Sequence, residues 1–304
     1  MSSEMAALVS ALMFRILSLY LLRISSFAAS CFLLFLATIH QIDAILHAVE
    51  IAVENTAWVV PKSLAYPDSL YAITERLLRN NEFIYGSAIA FEPNYYKSQG
   101  HYFSPYSYRG KNGNIRSRQL GTGTYDYHYM DWYQIPKLLD KPYWSEPYYD
   151  DGGGNMMMTT YSKPLYDKDG KMYAIITADL SLEWLTELVG GIKAFENSYN
   201  LMVSRNASYI VHPNRDLILN ETLFSSTYGD TDESLKKMQK DILEGNSGEV
   251  LRNMQGSKFF VFYSPVETNQ WTVAIVCPVG ELYRDVKTLR NMLIVLGIIT
   301  IFIS

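Results

Sequence analysis

The first long pattern in the chain is an apolar tract over residues 6–39, interrupted by Arg15 and Arg23, whose second part, residues 24–39, carries no charge. A bilayer core asks for ~20 such residues, so this helix recruits neighbours on one side to cross. The chain continues into His40-Gln-Ile-Asp43 with no small-residue cleavage site, which favours an anchor over a removed signal peptide. Arg15 and Arg23 precede the span, and Asp43, Glu50 and Glu54 follow it. The charge asymmetry keeps residues 1–41 as cytoplasmic N-terminus and membrane helix and puts residues from about 40 to 287 outside.

From Ile42 the period becomes three and four. Ile42, Ile45, Leu46, Val49, Val53, Ala57 and Val60 are apolar, the spacing of an amphipathic helix that prolongs the membrane helix outward. A second short helix, from about Pro67 to Leu78, is signalled by Pro67 and by Asp68 or Ser69 as N-cap; together these fill residues 42–82. Strand patterns follow at 83–91, 102–108 and 115–120, the last two separated by the turn Gly110–Gly113. Residues 132–139 form a helical turn or two. Met156–Tyr166 and Lys171–Asp179 pair across Asp167-Lys-Asp-Gly170, a hairpin turn, and Leu180–Val189 is a helix ended by Gly190-Gly191.

A smaller version of this succession fills the second half, with strands at 198–204, 209–213, 248–251, 258–263 and 271–277 and a helix at 232–243. The expected fold class is therefore α+β, with a larger module over 83–192 and a smaller one over 193–287. A last helix from Pro278 runs into the apolar stretch 292–303, 12 residues and shorter than a span. Residues 288–304 read as the start of a second transmembrane helix, cut before a cytoplasmic half.

Composition narrows the function. The net charge is −5 and the basic residues are scattered, so no nucleic acid partner is expected. The two cysteines, Cys31 in the membrane tract and Cys277 in a strand, read as buried hydrophobes and not as a disulfide. Tyrosine is the outlier: 14 of 24 fall between residues 91 and 166. A rigid apolar face with a hydroxyl suits pockets, and aromatics also pack well on sheets.

No nucleophile elbow, kinase signature or zinc motif occurs, so the chain is read as non-catalytic and without cofactor. Asp150 and Asp151 are adjacent on a loop and point apart if extended, which argues against hydrolytic acid/base work. Gly152-Gly-Gly154 lacks the residues of a phosphate loop and reads as a flexible turn. Asp126, His128 and Asp131 are the one cluster with metal-ligand chemistry; their spacing matches no established site, so they read as a solvated edge and no metal is expected. Asp179 closes an apolar run, where an unpaired carboxylate is expensive. It either receives a ligand cation or caps the helix beginning at Leu180. Trp132 and Trp144 serve as core or as ligand platform.

The order of parts resembles the double Cache (dCache) extracytoplasmic sensor domains of bacterial receptors. The residues that carry it are Asp131-Trp-Tyr133, Ser145-Glu-Pro-Tyr148, the hairpin Tyr161–Gly170 and Ala178-Asp-Leu-Ser-Leu182, with Val211-His-Pro213 and Trp271–Ala274 in the smaller module. The resemblance implies tandem PAS-like modules stacked on a long N-terminal helix and flanked by transmembrane helices, sensing a small molecule in the membrane-distal module. More narrowly, the chain is similar to the sensor half of membrane-bound SpoIIE-like serine phosphatases, in which a catalytic domain follows the second crossing. The alternative is therefore the regulatory half of a membrane phosphatase or histidine kinase of the inner membrane.

In dCache domains that bind amino acids, a pattern places a Tyr, an Arg and a Trp upstream, then a Tyr, then an Asp on the closing strand. Tyr125, Trp132, Tyr148 and Asp179 fall on four of these places, with Tyr133 adjacent and Tyr161 in the hairpin. Met130 stands where the Arg belongs. A guanidinium grips a carboxylate in a bidentate manner and Met does not. What is left is an aromatic box with an acidic end, suited to an amine or a neutral metabolite over an ordinary amino acid. A homodimer paired along Ile42 to Val60 would provide the bistable element that signalling needs.

Overall fold

The structure, a computed structural model, describes residues 32–193, 195–254, 256–282 and 291. The expected cytoplasmic segment with Arg15 and Arg23, Cys31, and the expected start of a second membrane helix lie outside these residues. The first helix, α1, spans Phe32–Ser63 and is long and apolar enough to cross a membrane at its start. The periodicity at Ile42 to Val60 has a definite partner. Ile42, Leu46, Val49, Val53, Ala57 and Val60 are all buried, in one cluster that includes Ile176 and Ala178 of one sheet and Val273, Ile275 and Cys277 of another. The stripe expected to face a second copy is thus spent inside this chain, because both sheets need an apolar cover and α1 supplies it.

After α2 (Ser69–Asn80) come β1 (Gly86–Phe91), β2 (Pro105–Arg109), β3 (Ile115–Gln119), α3 (Asp131–Leu139), β4 (Tyr143–Trp144), β5 (Tyr148–Tyr149), β6 (Met157–Tyr166), β7 (Met172–Ser181) and α4 (Leu182–Gly191). The first sheet has the order β3-β2-β1-β7-β6-β4, with β5 also on β6, and its pairs are antiparallel. The second comprises β8 (Tyr199–Val203), β9 (Tyr209–Val211), β10 (Gly248–Met254), β11 (Ser257–Pro265) and β12 (Thr272–Pro278), with α5 (Glu233–Leu243) on one face, in the order β10-β11-β12-β8-β9. The fold is α+β, a long N-terminal helix followed by two antiparallel sheets. The turn Asp167–Gly170 between β6 and β7 forms as predicted: Asp167 Oδ1 accepts from the backbone N–H groups of Asp169 and Lys171, and Gly170 adopts φ +77°.

Alternation along the strands divides the first sheet into two faces. Ile89 and Phe91 of β1 and Ala174, Ile176, Ala178 and Leu180 of β7 look to α1 and α2. Ala88, Ala90 and Ile175 look to an aromatic cluster of Tyr106, Tyr125, Tyr127, Trp132 and Tyr133. The helix expected from Leu180 begins two residues later, since β7 continues to Ser181, whose Oγ accepts from Trp184 N as N-cap. Asp179 is therefore a strand residue and not a cap. Gly190 and Gly191 are the last helical residues, and Ile192 is the C-cap.

Polar contacts lock α1 to both sheets. Asp43 accepts from Thr268 N at 2.9 Å and Oγ1 at 2.8 Å; Glu50 accepts from Trp144 Nε1 at 2.9 Å; Lys163 bonds Glu54 at 2.6 Å. Arg205, on the β8–β9 connection, reaches across to Glu146 at 2.7 Å, to Tyr143 Oη at 2.8 Å and to the Trp144 carbonyl at 2.7 Å. Leu46→Ala removes a side chain buried in this intramolecular core and should cost about 2–5 kcal/mol. Guanidinium denaturation of the full chain in detergent at two protein concentrations checks it: the loss is independent of concentration if the stripe is internal, and depends on concentration if the stripe is a subunit interface.

Candidate functional site

Asp179 lies in the central strand of the first sheet, opposite Gly86 of β1 on one side and Thr160 of β6 on the other. Both neighbours are suited to it. Gly86 has no side chain, and a methyl group there would run into the Tyr106 hydroxyl and the Asp179 carboxylate, so its bare Cα makes the niche that holds them. Thr160 donates from Oγ1 to Asp179 Oδ1 at 2.9 Å, and Tyr148 Oη, 2.8 Å from Thr160 Oγ1, completes the relay by donating to it. Thr177, two residues before Asp179 and on the same face, holds β1 through Ala88 N at 2.9 Å.

A second carboxylate stands in the same place. Asp150 is buried, accepting from Tyr125 Oη at 2.7 Å and from Gly154 N. The glycine run predicted as a slack turn is a cradle for it: a methyl group on Gly153 would collide with the Asp150 carboxylate, and Gly152, at φ +104°, packs against the Tyr125 ring. Asp150 and Asp151 point apart, as expected of neighbours on an extended loop: Asp151 is exposed and only Asp150 turns inward.

Tyr125, Trp132, Tyr148, Asp150 and Asp179, with Ala88, Tyr106, Leu120 and Thr177, enclose a cavity of about 10 Å³. That is about the room one water occupies, so a metabolite enters only as these walls part. Four of the seven residues singled out in the sequence meet here. Met130 sits at the N-cap of α3, half-buried against the aromatic cluster but not lining the cavity. Tyr133 lies behind it and donates to Glu92 at 2.5 Å. Tyr161 is on the opposite face of β6, packed on Trp144 in the α1 core, because strand parity that turns Thr160 to Asp179 must turn Tyr161 away. Asp150, Tyr106, Thr160 and Thr177 are site residues that sequence reasoning missed.

Ionisation of both carboxyls is costly in this place. Burial first, then the nearby Asp150 charge, pushes Asp179 up to about 7, with the hydroxyls of Thr160 and Tyr106 offsetting part of the rise. Burial also pushes Asp150 up, against the hydrogen bonds from Tyr125 and Gly154 and the charge of Arg118. The Tyr106 hydroxyl comes near enough to ease Asp179 but falls outside hydrogen-bond geometry, and Trp132 Nε1 stands in the same relation to Tyr125. Among the described residues both buried donors lack a partner. Such donors cost ~1–3 kcal/mol each, a cost that a bound acceptor would remove.

Residues 70–187 match the family model described as methyl-accepting chemotaxis protein-like, first PDC sensor domain. No curated protein matches the chain. Among solved structures, the extracellular domain of the putative histidine kinase mmHK1S-Z3 is similar, at 28% identity and a TM-score of 0.70 over 84% of this chain and 98% of that one. The periplasmic sensory domain of the Campylobacter jejuni chemoreceptor Tlp1 shares the fold at 13% identity and 0.67, over 81% and 93%. So does the ligand-binding domain of the Pseudomonas aeruginosa PAO1 amino acid chemoreceptor PctB in complex with L-Gln, at 17% and 0.58, over 84% and 95%. The chain is homologous to the sensor domains of membrane receptors of the chemoreceptor and histidine-kinase type, with a PDC- or Cache-like sensor fold.

A raised carboxylate ties stability to pH with a definite sign. From 3.8 to about 7 the folded chain holds a proton on Asp179 that the unfolded chain has released, so stability falls as pH rises through this window and levels off above it. Asp179→Asn mimics the protonated form and escapes the penalty. The margin by which its melting temperature exceeds that of the parent should widen from pH 5 to pH 8; thermal melts of both proteins across that range measure the difference, and a constant offset would sink the assignment.

Proposed function

We propose that the chain is the ligand-sensing part of a receptor in the inner (cytoplasmic) membrane, with residues from about 40 to 287 outside, and that its larger module, residues 83–192, takes up a small cationic amine. The smaller module, 193–287, relays the change toward the membrane. The observation that carries this is the pair of buried carboxylates, Asp150 and Asp179, inside walls of Tyr125, Tyr148 and Trp132. An ammonium group offsets the charge of one acid, can donate hydrogen bonds to both and lies against aromatic faces, an arrangement worth more as water is excluded.

A second reading rests on Arg118. Its Nη2 donates to the Gly152 carbonyl at 2.9 Å, and its guanidinium lies 6.0 Å from the Tyr106 ring, at the rim of the cavity. From there it supplies the cation that Met130 lacks, and an α-amino acid, like the L-Gln of the Pseudomonas aeruginosa domain, would then fit with its carboxylate toward the rim.

The homodimer would use a different face of α1 from the buried stripe. Ala37, Ala44, Ile51 and Trp58 recur every seven residues and are exposed, the spacing of a helix-pairing seam. A catalytic domain after the second crossing, of serine phosphatase or histidine kinase kind, would be the output, and the genomic sequence beyond Ser304 tests that part directly.

Thermal melts of the full chain in detergent with matched pairs separate the ligand readings: ethanolamine with serine, isobutylamine with valine, cadaverine with lysine. The amine reading expects one amine to raise the melting temperature more than its amino acid does, and more strongly at pH 8 than at pH 6, as the Asp179 proton no longer has to be expelled. A larger shift with the amino acid, lost in Arg118→Met, favours the second reading. No shift with any of the six removes both.

A further inference from the structure

On the aromatic cluster but outside the cavity lining, His101, Asp126 and His128 bring one ligand atom each within 4.8 Å of one another. The sequence grouped Asp126 and His128 with Asp131 as a solvated edge. Asp131 is instead exposed at the start of α3, while His128 is buried and His101, 25 positions or more upstream, completes the group. We propose that these three side chains form a binding site for a divalent transition-metal ion of the zinc type.

The hydrogen bonds around His128 carry the inference. Its Nε2 lies 3.1 Å from the Phe91 carbonyl, which can only accept, so Nε2 bears the hydrogen. In the neutral ring Nδ1 is then a lone pair, and it faces Asp126 Oδ1 at 3.0 Å. Two acceptors at that separation repel unless a positive species joins them, and a metal ion or a proton are the two candidates. A ring N–H donated to a backbone carbonyl, leaving the other nitrogen free, is the usual support of a metal-bound histidine.

The carboxylate is held for the same purpose. His128 N donates to Asp126 Oδ1 at 3.0 Å and Tyr102 Oη to Oδ2 at 3.0 Å, which orients Asp126 toward the imidazole. Tyr102 stacks on His128 at 5.6 Å and Tyr127 lies 4.1 Å from it, so the inner ligand cannot swing away. His101 is exposed, with its ring centroid 5.5 Å from that of His128, and Asn94 lies 3.3 Å from its Nδ1. A solvent-facing third ligand on a loop gives an ion its way in, and a small rotation brings it to the ~2.0–2.1 Å of a zinc–nitrogen bond. Two imidazoles and one carboxylate suit zinc, cobalt or nickel, whereas calcium and magnesium ask for oxygen throughout.

The ion would sit beside the ligand cavity without being part of it. Tyr127 follows Asp126 directly and stacks on Trp132 at 6.2 Å, and Trp132 is a wall of the cavity. The site stands whether or not the amine reading does.

Equilibrium dialysis of the full chain in detergent against zinc chloride, and cobalt substitution read by visible absorption, test the proposal. One zinc ion per chain should bind, calcium should not compete, and affinity should fall as pH is lowered and the ligands protonate. His101→Ala removes an exposed side chain and leaves the fold intact, which a melt without metal verifies. It should weaken zinc binding at least tenfold and abolish the tetrahedral cobalt spectrum, and Asp126→Asn should do the same. Zinc binding unchanged in His101→Ala is adventitious binding at other histidines and overturns the site. No saturable zinc binding in the parent protein overturns it too, and leaves a proton as the species between His128 and Asp126.

Discussion

Asp150 and Asp179 share one buried cavity, where the Asp150 charge makes that of Asp179 more costly and, among the described residues, no basic side chain lines the same space. Removing a carboxylate from water is among the larger penalties a fold can carry, and the surrounding structure is arranged to reduce it. Tyr125 and the glycine cradle serve Asp150; Thr160 and Tyr148 serve Asp179. These supports come from separate elements, β5, β6 and the loop between them for most, and the 122–125 turn for Tyr125. A cation that replaced the missing neutralisation would therefore pull together segments that the backbone only loosely joins, and this is the kind of differential interaction a ligand needs to shift a conformational equilibrium.

The same strands connect the cavity to α1. In β7 the residues facing the cavity alternate with Ala174, Ile176 and Ala178, which pack in the α1 core, and in β6 Thr160 is next to Tyr161, whose ring packs at a tilt against Trp144. Trp144 in turn donates to Glu50 on α1 and receives Arg205 from the second sheet at its carbonyl. Each of these polar contacts is partly exposed and individually modest, about 1 kcal/mol or less for an ordinary surface ion pair. Their importance lies in position. A movement of β6 against β7 cannot be absorbed locally, because a close-packed core transmits displacement and does not compress.

Much of this was legible in the sequence. The longer strands of both sheets, the β6–β7 hairpin and the stripe on α1 follow from apolar spacing, since a half-buried strand and a covering helix can satisfy their cores in few other ways; β4 and β5, two residues each, are too short to leave such a pattern. Asp179 stood out because a carboxylate at the end of an apolar run is costly wherever it points. What was not legible depends on tertiary register. Whether Thr160 or Tyr161 faces Asp179 is a matter of one residue of parity, set by pairing with β7 that no local pattern encodes. The inward turn of Asp150 rests on Gly153 giving way to its carboxylate and on Gly154 N donating to it, and a run of three glycines reads equally well as slack. The stripe on α1 was visible, but a helix periodicity gives only the face that is buried, not what buries it. The core of two sheets had first claim.

His101 was out of reach for a different reason. Metal-ligand motifs are found by short spacing, and His101 arrives from the loop before β2 while Asp126 and His128 arrive from a turn before α3. The sheet brings the two loops to one edge, where Phe91 O serves both Tyr127 and His128. Tyr127 thus has the ion site against one side and Trp132 against the other. If the two sites are occupied together, any tightening of the turn at 126–128 acts on the wall of the cavity through that ring. By linkage, the ligand must then alter metal affinity by the same factor as the metal alters ligand affinity. Coupling is expected here because one rigid aromatic stack bounds both sites; two sites on opposite faces of the sheet would have no such shared element.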